Sequence, residues 1–339
     1  MLHFPTKDQW QALFVISEKI KMDAPWKRFQ SNEIITIKKS KEEEPIFCSI
    51  LGEDSDHYGV AVFFGYQALA GFFQLLSLGK EIPFSTFIAY QNCLTVYFAD
   101  RSALGNGDFS AMEIADYPPQ PGPIGHTFFR SYLPGYAPWY LESSEVKRLT
   151  HALEHLNETL ARLNKEGGNH SLQKGETICY QELTDGTWEL TTERLPVFSI
   201  EYQTIQFEDE LFIARLKRLP KTARCLEVDI NYMPNPLTAK YSFRPLFPRI
   251  CIIADHDGGF IDHQQVLEEQ QNHNKALLEL LLENIRENGR PRLILVRPGP
   301  VCYILKDLCK KIGTKLEERP GLEIIDDFMS LLGNFPNKE

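Results

Sequence analysis

The residues best suited to chemistry lie in one short run, Asp255-His256-Asp257-Gly258-Gly259, with Asp262 and His263 close behind. Asp255 ends an apolar run typical of a buried strand, where a carboxylate is well placed to hold a divalent cation. Alternation along the strand puts Asp255 and Asp257 on the same side. The run is equally typical of an Asp-Gly hairpin turn, whose polar residues lie in solvent. Two interpretations therefore stay open: a turn alone, and a metal site formed by Asp255, Asp257 and His263.

A second candidate is an anion site in the run from Arg297 to Pro300. Arg297 ends a predicted strand, and Pro300 begins a predicted helix whose free N–H groups would point towards Arg297. A helix N-terminus and a forked guanidinium both favour an anion, so Arg297 and Gly299 are the predicted anion-binding residues. The alternative is a salt-bridge role for Arg297, because no glycine-rich phosphate fingerprint accompanies it.

The run from His151 to His155 matches the HxxEH pattern, in which two histidines one helical turn apart bind zinc. The leucine spacing predicts a helix from about Ser143 to Lys165 with a narrow apolar stripe. The phase of that stripe puts His151 and His155 on the opposite, solvated face. We therefore predict no zinc site there.

Two further stretches are candidate interaction surfaces. Residues 215–224 contain five basic side chains with apolar residues between them, which suits either phosphate contacts with a nucleic acid or a protected sheet edge. The proline-rich loop 117–139 contains Arg130, Tyr136 and Trp139, whose types are common in protein–protein hot spots. These three are the predicted partner-binding residues, although packing of the loop onto a core is an equal alternative.

The composition excludes several classes of protein. Of 339 residues, 43% are hydrophobic and 12% aromatic, which suffices for two cores and excludes a disordered chain. The net charge of −10 argues against a generic duplex-binding surface. The seven cysteines include no CxxC pair, which indicates buried thiols in a reducing compartment. No signal peptide and no apolar stretch of about 18 residues is found. We predict a cytoplasmic protein with no membrane partner and no cofactor.

The elements that must position these residues indicate an α+β protein of two domains, 1–166 and 175–339. The boundary is predicted between Gly167 and Gly175, where the composition turns polar. A hairpin turning at Asp185-Gly186 would open the second domain. From Arg249 the order ββαβαβα predicts a mixed sheet. The segments Phe84–Asp100 and Leu211–Leu219 are predicted to be extended.

The run from Arg249 to Leu332 resembles a ribonuclease H-like or integrase core in element order. In that resemblance Asp255 stands at the first metal-binding Asp, whereas Arg297-Pro298 stands where the superfamily commonly has a second acidic residue. Metal-dependent phosphoryl transfer needs clustered carboxylates, so further ones must converge on Asp255. The candidates are Asp229, Asp326 and Asp327.

A broader resemblance is to a family of uncharacterised two-domain bacterial proteins. It rests on five segments in order: Ala24–Trp26, Tyr58–Gly65, Leu133–Trp139, Arg244–Gly259 and Gly289–Pro298. This resemblance implies no activity. The leading hypothesis is a cytosolic binding or adaptor protein, without a catalytic role, for an unknown protein or small ligand. The alternative is a metal-dependent phosphoryl-transfer enzyme or nuclease that uses Mg²⁺ or Mn²⁺.

Overall fold

The computed structural model describes residues 4–39, 44–52, 55, 57–79, 82–118, 120–165, 172–196, 202–238 and 243–333. The chain divides into two compact units. The first contains Met1–Ile82, Tyr90–Pro134 and Pro138–Ser199, and the second contains Pro83–Ala89, Gly135–Ala137 and Ile200–Glu339. Each unit combines helices with one sheet, so the predicted α+β class is confirmed. No helix in the described ranges has the length and apolarity that a membrane crossing requires.

The first unit is built around a seven-stranded sheet. The helices and strands of the chain up to the end of this unit are, in order, α1 (Lys7–Asp23), β1 (Ile34–Lys38), β2 (Ile46–Leu51), β3 (Tyr58–Phe64), α2 (Gly65–Ser77), α3 (Phe84–Tyr90), β4 (Cys93–Ala99), α4 (Asn106–Ile114), β5 (His126–Tyr132), α5 (Ser143–Lys165), β6 (Glu176–Glu182) and β7 (Trp188–Arg194). Most of α3 belongs to the second unit. The strand order is β5-β4-β3-β2-β1-β6-β7. The pair β1–β6 is parallel and the other pairs are antiparallel.

Helices α1 and α5 bury their apolar faces in the main core of the first unit. In α1 the Thr6 side chain accepts the N–H of Gln9, and the Gln9 side chain accepts the N–H of Thr6, a capping box that fixes the helix start. The predicted α5 stripe is confirmed, because Val146, Leu149 and Leu153 are fully buried. Burial of these one-sided faces, rather than helix propensity, supplies most of the stability of such helices.

The second unit contains a five-stranded sheet. Its further elements are α6 (Glu210–Arg218), β8 (Cys225–Tyr232), β9 (Arg249–Asp255), β10 (Phe260–Val266), α7 (His273–Asn288), β11 (Leu293–Val296), α8 (Pro300–Ile312), β12 (Lys315–Glu318) and α9 (Glu323–Gly333). The strand order is β10-β9-β8-β11-β12, with β8 antiparallel to β9 and parallel to β11. The predicted order ββαβαβα from Arg249 is confirmed, and β8 precedes it as the central strand.

The two faces of β8 differ in polarity. Leu226 and Val228 belong to a large apolar core that also includes residues of α6, α7 and α8. Cys225 belongs to a smaller core with Leu322 and Ile325, at the start of α9. The other residues on the α9 side of β8 are polar, which makes this face unusual for a central strand.

The predicted domain boundary is wrong in its position. Strands β6 and β7 form the predicted hairpin at Asp185-Gly186, but β6 pairs with β1, so the hairpin completes the first sheet and does not open the second domain. The sequence could not reveal this pairing, because β1 and β6 lie far apart along the chain. Of the predicted boundary residues Gly167–Gly175, those from 167 to 171 lie outside the described residues.

Three local predictions are also wrong. Leu211–Leu219 is mostly helical, because Asp209 accepts the N–H of Phe212 and caps α6, whose apolar residues face the core. Phe84–Asp100 contains helix α3 before strand β4. The loop 117–139 contains strand β5 within its proline-free stretch, 124–133, where every backbone N–H is able to pair.

Candidate functional site

Three polar side chains alternate along the central strand β8 on the side of α9, and we call them the polar row: Glu227, Asp229 and Asn231. Their residues are 0%, 5% and 5% exposed. Residues two apart on a strand point to the same face, so the row follows directly from the strand period. Buried polar groups need partners, and the partners of this row define the chemistry of the site.

The centre of the row is an ion cluster formed by Asp229, Arg297 and Asp326. Arg297 Nε donates to Asp229 Oδ2 at 2.8 Å, and its Nη2 donates to Asp326 Oδ1. The remaining Nη1 donates to the carbonyl oxygen of Pro320 at 2.9 Å. Arg297 directly follows β11, which lies beside β8, so the parallel pairing brings it to Asp229. One guanidinium thus joins the sheet to α9.

Burial and charge act in opposite directions within this cluster. Burial raises the pKa of the Asp229 carboxyl, and the neighbouring Arg297 opposes that rise. Burial also tends to lower the pKa of Arg297, but the Asp229 and Asp326 carboxylates outweigh it and raise the pKa. The ionised form of Asp229 therefore depends on the guanidinium of Arg297.

Glu227 is the most buried carboxylate of the row. Its Oε1 lies 2.6 Å from His256 Nδ1, and its Oε2 accepts the N–H groups of Ile324 and Ile325 at 3.0 Å each. These N–H groups belong to the first turn of α9, where the helix dipole favours a negative charge. Glu227 therefore anchors the start of α9 to the sheet and orients the His256 ring, with Nδ1–H as the donor.

The cluster resembles a cation site in which the cation is supplied by the chain itself. Asp229 and Asp326 converge on one positive group, as carboxylates converge on a divalent ion in metal-dependent sites. Within the described ranges, no group of three or more His, Cys, Asp or Glu side chains is arranged to hold a metal ion. The contacts that the structure shows at this face are charge pairs and the anchoring of a helix start.

The predicted metal ligands Asp255, Asp257 and His263 do not come together. The Asp255 carboxylate accepts from Arg224 Nε at 2.8 Å and from the N–H of Gly258 at 2.8 Å. Asp257 is exposed in the turn. The guanidinium of Arg224 and the turn therefore both contact the Asp255 carboxylate, as the turn interpretation expects. Metal binding by Asp255, Asp257 and His263 stays a prediction.

His263 lies on strand β10 with partners of its own. Its Nδ1 is 3.2 Å from Asn284 Nδ2, and its Nε2 is 3.3 Å from a Glu287 oxygen. Asn284 also donates to the Asp262 carboxylate, which accepts a second hydrogen bond from Arg224 Nη2. These contacts tie β10 to α7. Arg224 therefore joins β9 to β10 through Asp255 and Asp262. In the same way, Arg297 joins β8 to α9 through Asp229 and Asp326.

We expect Asp255→Asn to lower the free energy of unfolding by about 1–2 kcal/mol at pH 7, since charge-assisted hydrogen bonds are lost. Burial alone would raise the pKa of Asp255, but Gly258 and Arg224 outweigh it and lower the pKa. A lowered native pKa adds stability above the unfolded pKa that disappears as the pH falls through the native pKa. Urea unfolding should thus show the two proteins converging in strong acid; a constant difference down to pH 2 would contradict this explanation.

At the predicted anion site, the Arg297 guanidinium is already paired with two carboxylates. Each of the three Arg297 nitrogens already donates one hydrogen bond, to Asp229, Pro320 and Asp326. Gly299 precedes α8 with φ of 140°, a conformation that favours glycine, and provides no side-chain cap. The structure therefore gives Arg297 the alternative, salt-bridge role.

His151 and His155 do not lie on a solvated face, which corrects the helix-phase argument. Their rings are 4.5 Å apart, and the His155 ring stacks on Trp188 at 4.6 Å, against the β6–β7 hairpin. Burial, followed by the neighbouring His151, lowers the pKa of His155. The prediction placed these residues in solvent because it did not include β6 and β7 in the first sheet.

The predicted partner-binding residues are held by local contacts. Both terminal nitrogens of Arg130 pair with Asp108, at 2.6 and 2.8 Å, and its guanidinium lies over the Phe128 and Tyr140 rings. Trp139 pairs with Ser131 through the backbone. Tyr136 pairs with Leu246 in the second unit.

In the basic stretch 215–224, four side chains are exposed: Arg215, Lys217, Arg218 and Lys221. The fifth, Arg224, is paired with Asp255. Binding at either surface stays a prediction.

Sequence reasoning missed the role of Glu227 and treated Asp229 only as an additional carboxylate. The signal was present in Cys225–Tyr232, where Glu, Asp and Asn alternate with apolar residues in a strand that is otherwise buried. Fully polar alternate positions on a central strand demand partners on the covering layer. The residues that meet this demand, Arg297 and the start of α9, could not be identified from spacing alone.

Fold and site together define an α+β protein of two units, the second with an arginine-filled carboxylate cluster on its central strand. The chain belongs to the family described as Domain of unknown function (DUF7309), whose model matches residues 10–180, just over half of its length. A second model, Domain of unknown function (DUF6930), matches residues 212–332. No curated protein matches the chain.

Several solved structures are similar to part of the chain. In the simian T-cell lymphotropic virus intasome in complex with PP2A regulatory subunit B56 gamma, identity is 16% over 35% of this chain and 42% of that chain, with a TM-score of 0.24. For the HTLV-2 integrase catalytic core domain in complex with magnesium (dimeric form), identity is 13% over 34% of this chain and 68% of that chain, with a TM-score of 0.23. For the Mos1 mariner paired end complex with Mn, identity is 11% over 55% of this chain and 60% of that chain, with a TM-score of 0.24. These TM-scores are too low to show a shared fold.

Proposed function

We propose that this protein is a cytoplasmic binding or adaptor protein whose second unit does not perform metal-dependent phosphoryl transfer. The observation that supports this proposal is the position of Arg297 between Asp229 and Asp326. A divalent cation on these carboxylates would have to displace a guanidinium that is already paired with both. Such displacement would break both ion pairs, of which the one with Asp229 is buried, while the guanidinium stays covalently attached nearby.

The partner of the proposed binding protein is an unidentified protein or small ligand. The seven cysteines are free, and all except Cys302 are buried, which fits a reducing compartment. The exposed basic face of α6 remains the place where a nucleic acid would dock, if one is the partner. A nuclease is the second candidate function, because two carboxylates converge on one positive charge at the polar row.

The test compares the wild type with Arg297→Asp in the presence of Mn²⁺. For the wild type we expect 5 mM Mn²⁺ to shift the melting temperature by less than about 1 °C, since a ligand stabilises only the state that it binds. In Arg297→Asp three carboxylates lie together without a cation, so Mn²⁺ should stabilise this variant by several degrees. Differential scanning fluorimetry with Mn²⁺, Ca²⁺ and no metal provides the comparison.

Incubation of the wild type with single- and double-stranded DNA and RNA, in Mg²⁺ or Mn²⁺, is the matching activity measurement. We expect no cleavage. Metal-dependent cleavage that disappears in Asp229→Asn would replace the binding proposal with the nuclease alternative. If Arg297→Asp does not fold, the wild-type measurements alone still decide between the two.

A further inference from the structure

An open groove in the first unit lies at the ends of strands β3 and β4, far along the chain from the polar row. Its volume is about 410 Å³, within the range of roughly 300–1,000 Å³ that is usual for small-molecule sites. Tyr58 at the start of β3 and Phe98 near the end of β4 are paired neighbours in the sheet, and both line the groove. The size and these walls suit a small organic molecule.

Among the described residues that line the groove, the carboxylate is that of Asp100. Its Oδ1 accepts the N–H of Ser102 at 2.7 Å and the Ser102 hydroxyl at 2.5 Å, which fixes the carboxylate at the start of the short helix Arg101–Ala103. Its Oδ2 has no hydrogen-bond partner in the part of the chain that the structure describes. The neighbouring Arg101 guanidinium lies over the Phe109 ring, 5.5 Å from its centroid.

The surroundings keep the Asp100 carboxylate ionised. The hydrogen bonds from Ser102 lower its pKa, and the nearby His57 and His126 contribute further in the same direction. The His57 ring, which also lines the groove, is held edge-on to Tyr97 and to Phe128, at 5.7 Å from each. The groove therefore offers a fixed negative acceptor beside aromatic surface.

We propose that this groove binds a small organic amine. The ammonium group donates to the unpartnered oxygen of Asp100, and the apolar body of the ligand lies against the Tyr58 ring. Aromatic faces and a carboxylate attract the same charge, since the ring quadrupole favours a cation. This site lies in the first unit, so the proposal does not depend on the Arg297 cluster.

Benzylamine, benzyl alcohol and benzoate are the probes, because they share a ring and differ in charge. We expect saturation-transfer NMR on the full chain at pH 7 to detect benzylamine at millimolar concentration and the other two far more weakly. Asp100→Asn should weaken benzylamine binding by about three- to fivefold, as for an exposed charge-assisted contact. Ala103→Phe should abolish it, because Ala103 lines the groove and the larger side chain fills it.

Asp185 offers a matched control. Its Oδ1 accepts the N–H and the hydroxyl of Thr187, at 2.9 and 2.6 Å, in the same local geometry but in the β6–β7 turn. Asparagine keeps an acceptor oxygen in both places, so both variants should fold. Asp185→Asn should leave benzylamine binding unchanged. The proposal is overturned if benzylamine shows no transfer, if benzoate or benzyl alcohol binds equally well, or if the two asparagine variants behave alike.

Discussion

Replacement of Arg297 by alanine should lower the free energy of unfolding by about 3–5 kcal/mol, because it leaves the buried Asp229 carboxylate without its positive partner. Asp229 is 5% exposed, and its remaining contacts are the N–H of Ile230 and the amide of Asn231. These dipoles do not replace a full charge. Urea unfolding followed by circular dichroism gives the measurement, and a loss below 1 kcal/mol would show that the pair is not needed.

The deficit of Arg297→Ala should depend on pH. Burial raises the native pKa of Asp229, and the variant lacks the guanidinium that opposes this rise. A raised native pKa means that the folded state binds the proton more tightly than the unfolded chain does. The deficit is therefore smallest below the unfolded Asp pKa of about 3.9. It grows as the pH rises towards the native pKa of Asp229 in the variant, which is higher than in the wild type.

Two further variants separate charge from packing. In the double variant Asp229→Asn with Arg297→Ala, the unpaired charge is gone, so the stability should exceed that of Arg297→Ala alone. Asp326→Asn should cost only about 1 kcal/mol, because its side chain is 48% exposed and solvent screens the pair. A double variant as unstable as Arg297→Ala would mean that lost packing, not charge, causes the deficit.

The second large effect is expected for Glu227→Leu, at about 3 kcal/mol. Leucine removes the acceptor of the Ile324 and Ile325 N–H groups and of His256 Nδ1, and each unsatisfied buried donor is costly. Because the lost contacts lie at the start of α9, this helix should open before the rest of the unit. Hydrogen exchange of the α9 amides should therefore accelerate more than exchange in β8 and β9.

Glu227→Gln is the control for this prediction. Glutamine has nearly the same shape and keeps one oxygen that accepts from the α9 backbone, so α9 should stay attached. If glutamine and leucine accelerate exchange equally, the negative charge at the helix start matters more than the hydrogen bonds. If neither accelerates it, α9 is held by its apolar contacts through Leu322 and Ile325.

The sequence predicted the features that depend on local pattern. The α5 stripe, the turn at Asp185-Gly186 and the order of elements after Arg249 each arise within a few tens of residues. The short helix α6 has the apolar pattern of a strand, because two turns of helix offer too few apolar positions to distinguish periods of 2 and 3.6. The strand β5 was missed because flanking prolines dominated the interpretation of 117–139.

The candidate site could be predicted only in part, for a physical reason. The sequence indicates Arg297 and Asp229 separately, yet they are 68 positions apart and meet only because β8 and β11 are parallel neighbours. Asp255 was favoured because a local pattern surrounded it, whereas its true partner, Arg224, is 31 positions away. Pairing across a sheet is set by the whole fold and leaves no local trace in composition.

The parallel pair β1–β6 bears on how the chain folds during synthesis. Thr36 and Thr177, whose hydroxyls are 2.7 Å apart across this pair, are separated by 141 positions. Until β6 has been synthesised, β1 is an edge strand of a five-stranded sheet, β5-β4-β3-β2-β1, and its free backbone groups are able to pair with another chain. Contacts of such long range also slow folding. A fragment ending at residue 166 should therefore self-associate, whereas one that includes Arg194 covers this edge itself.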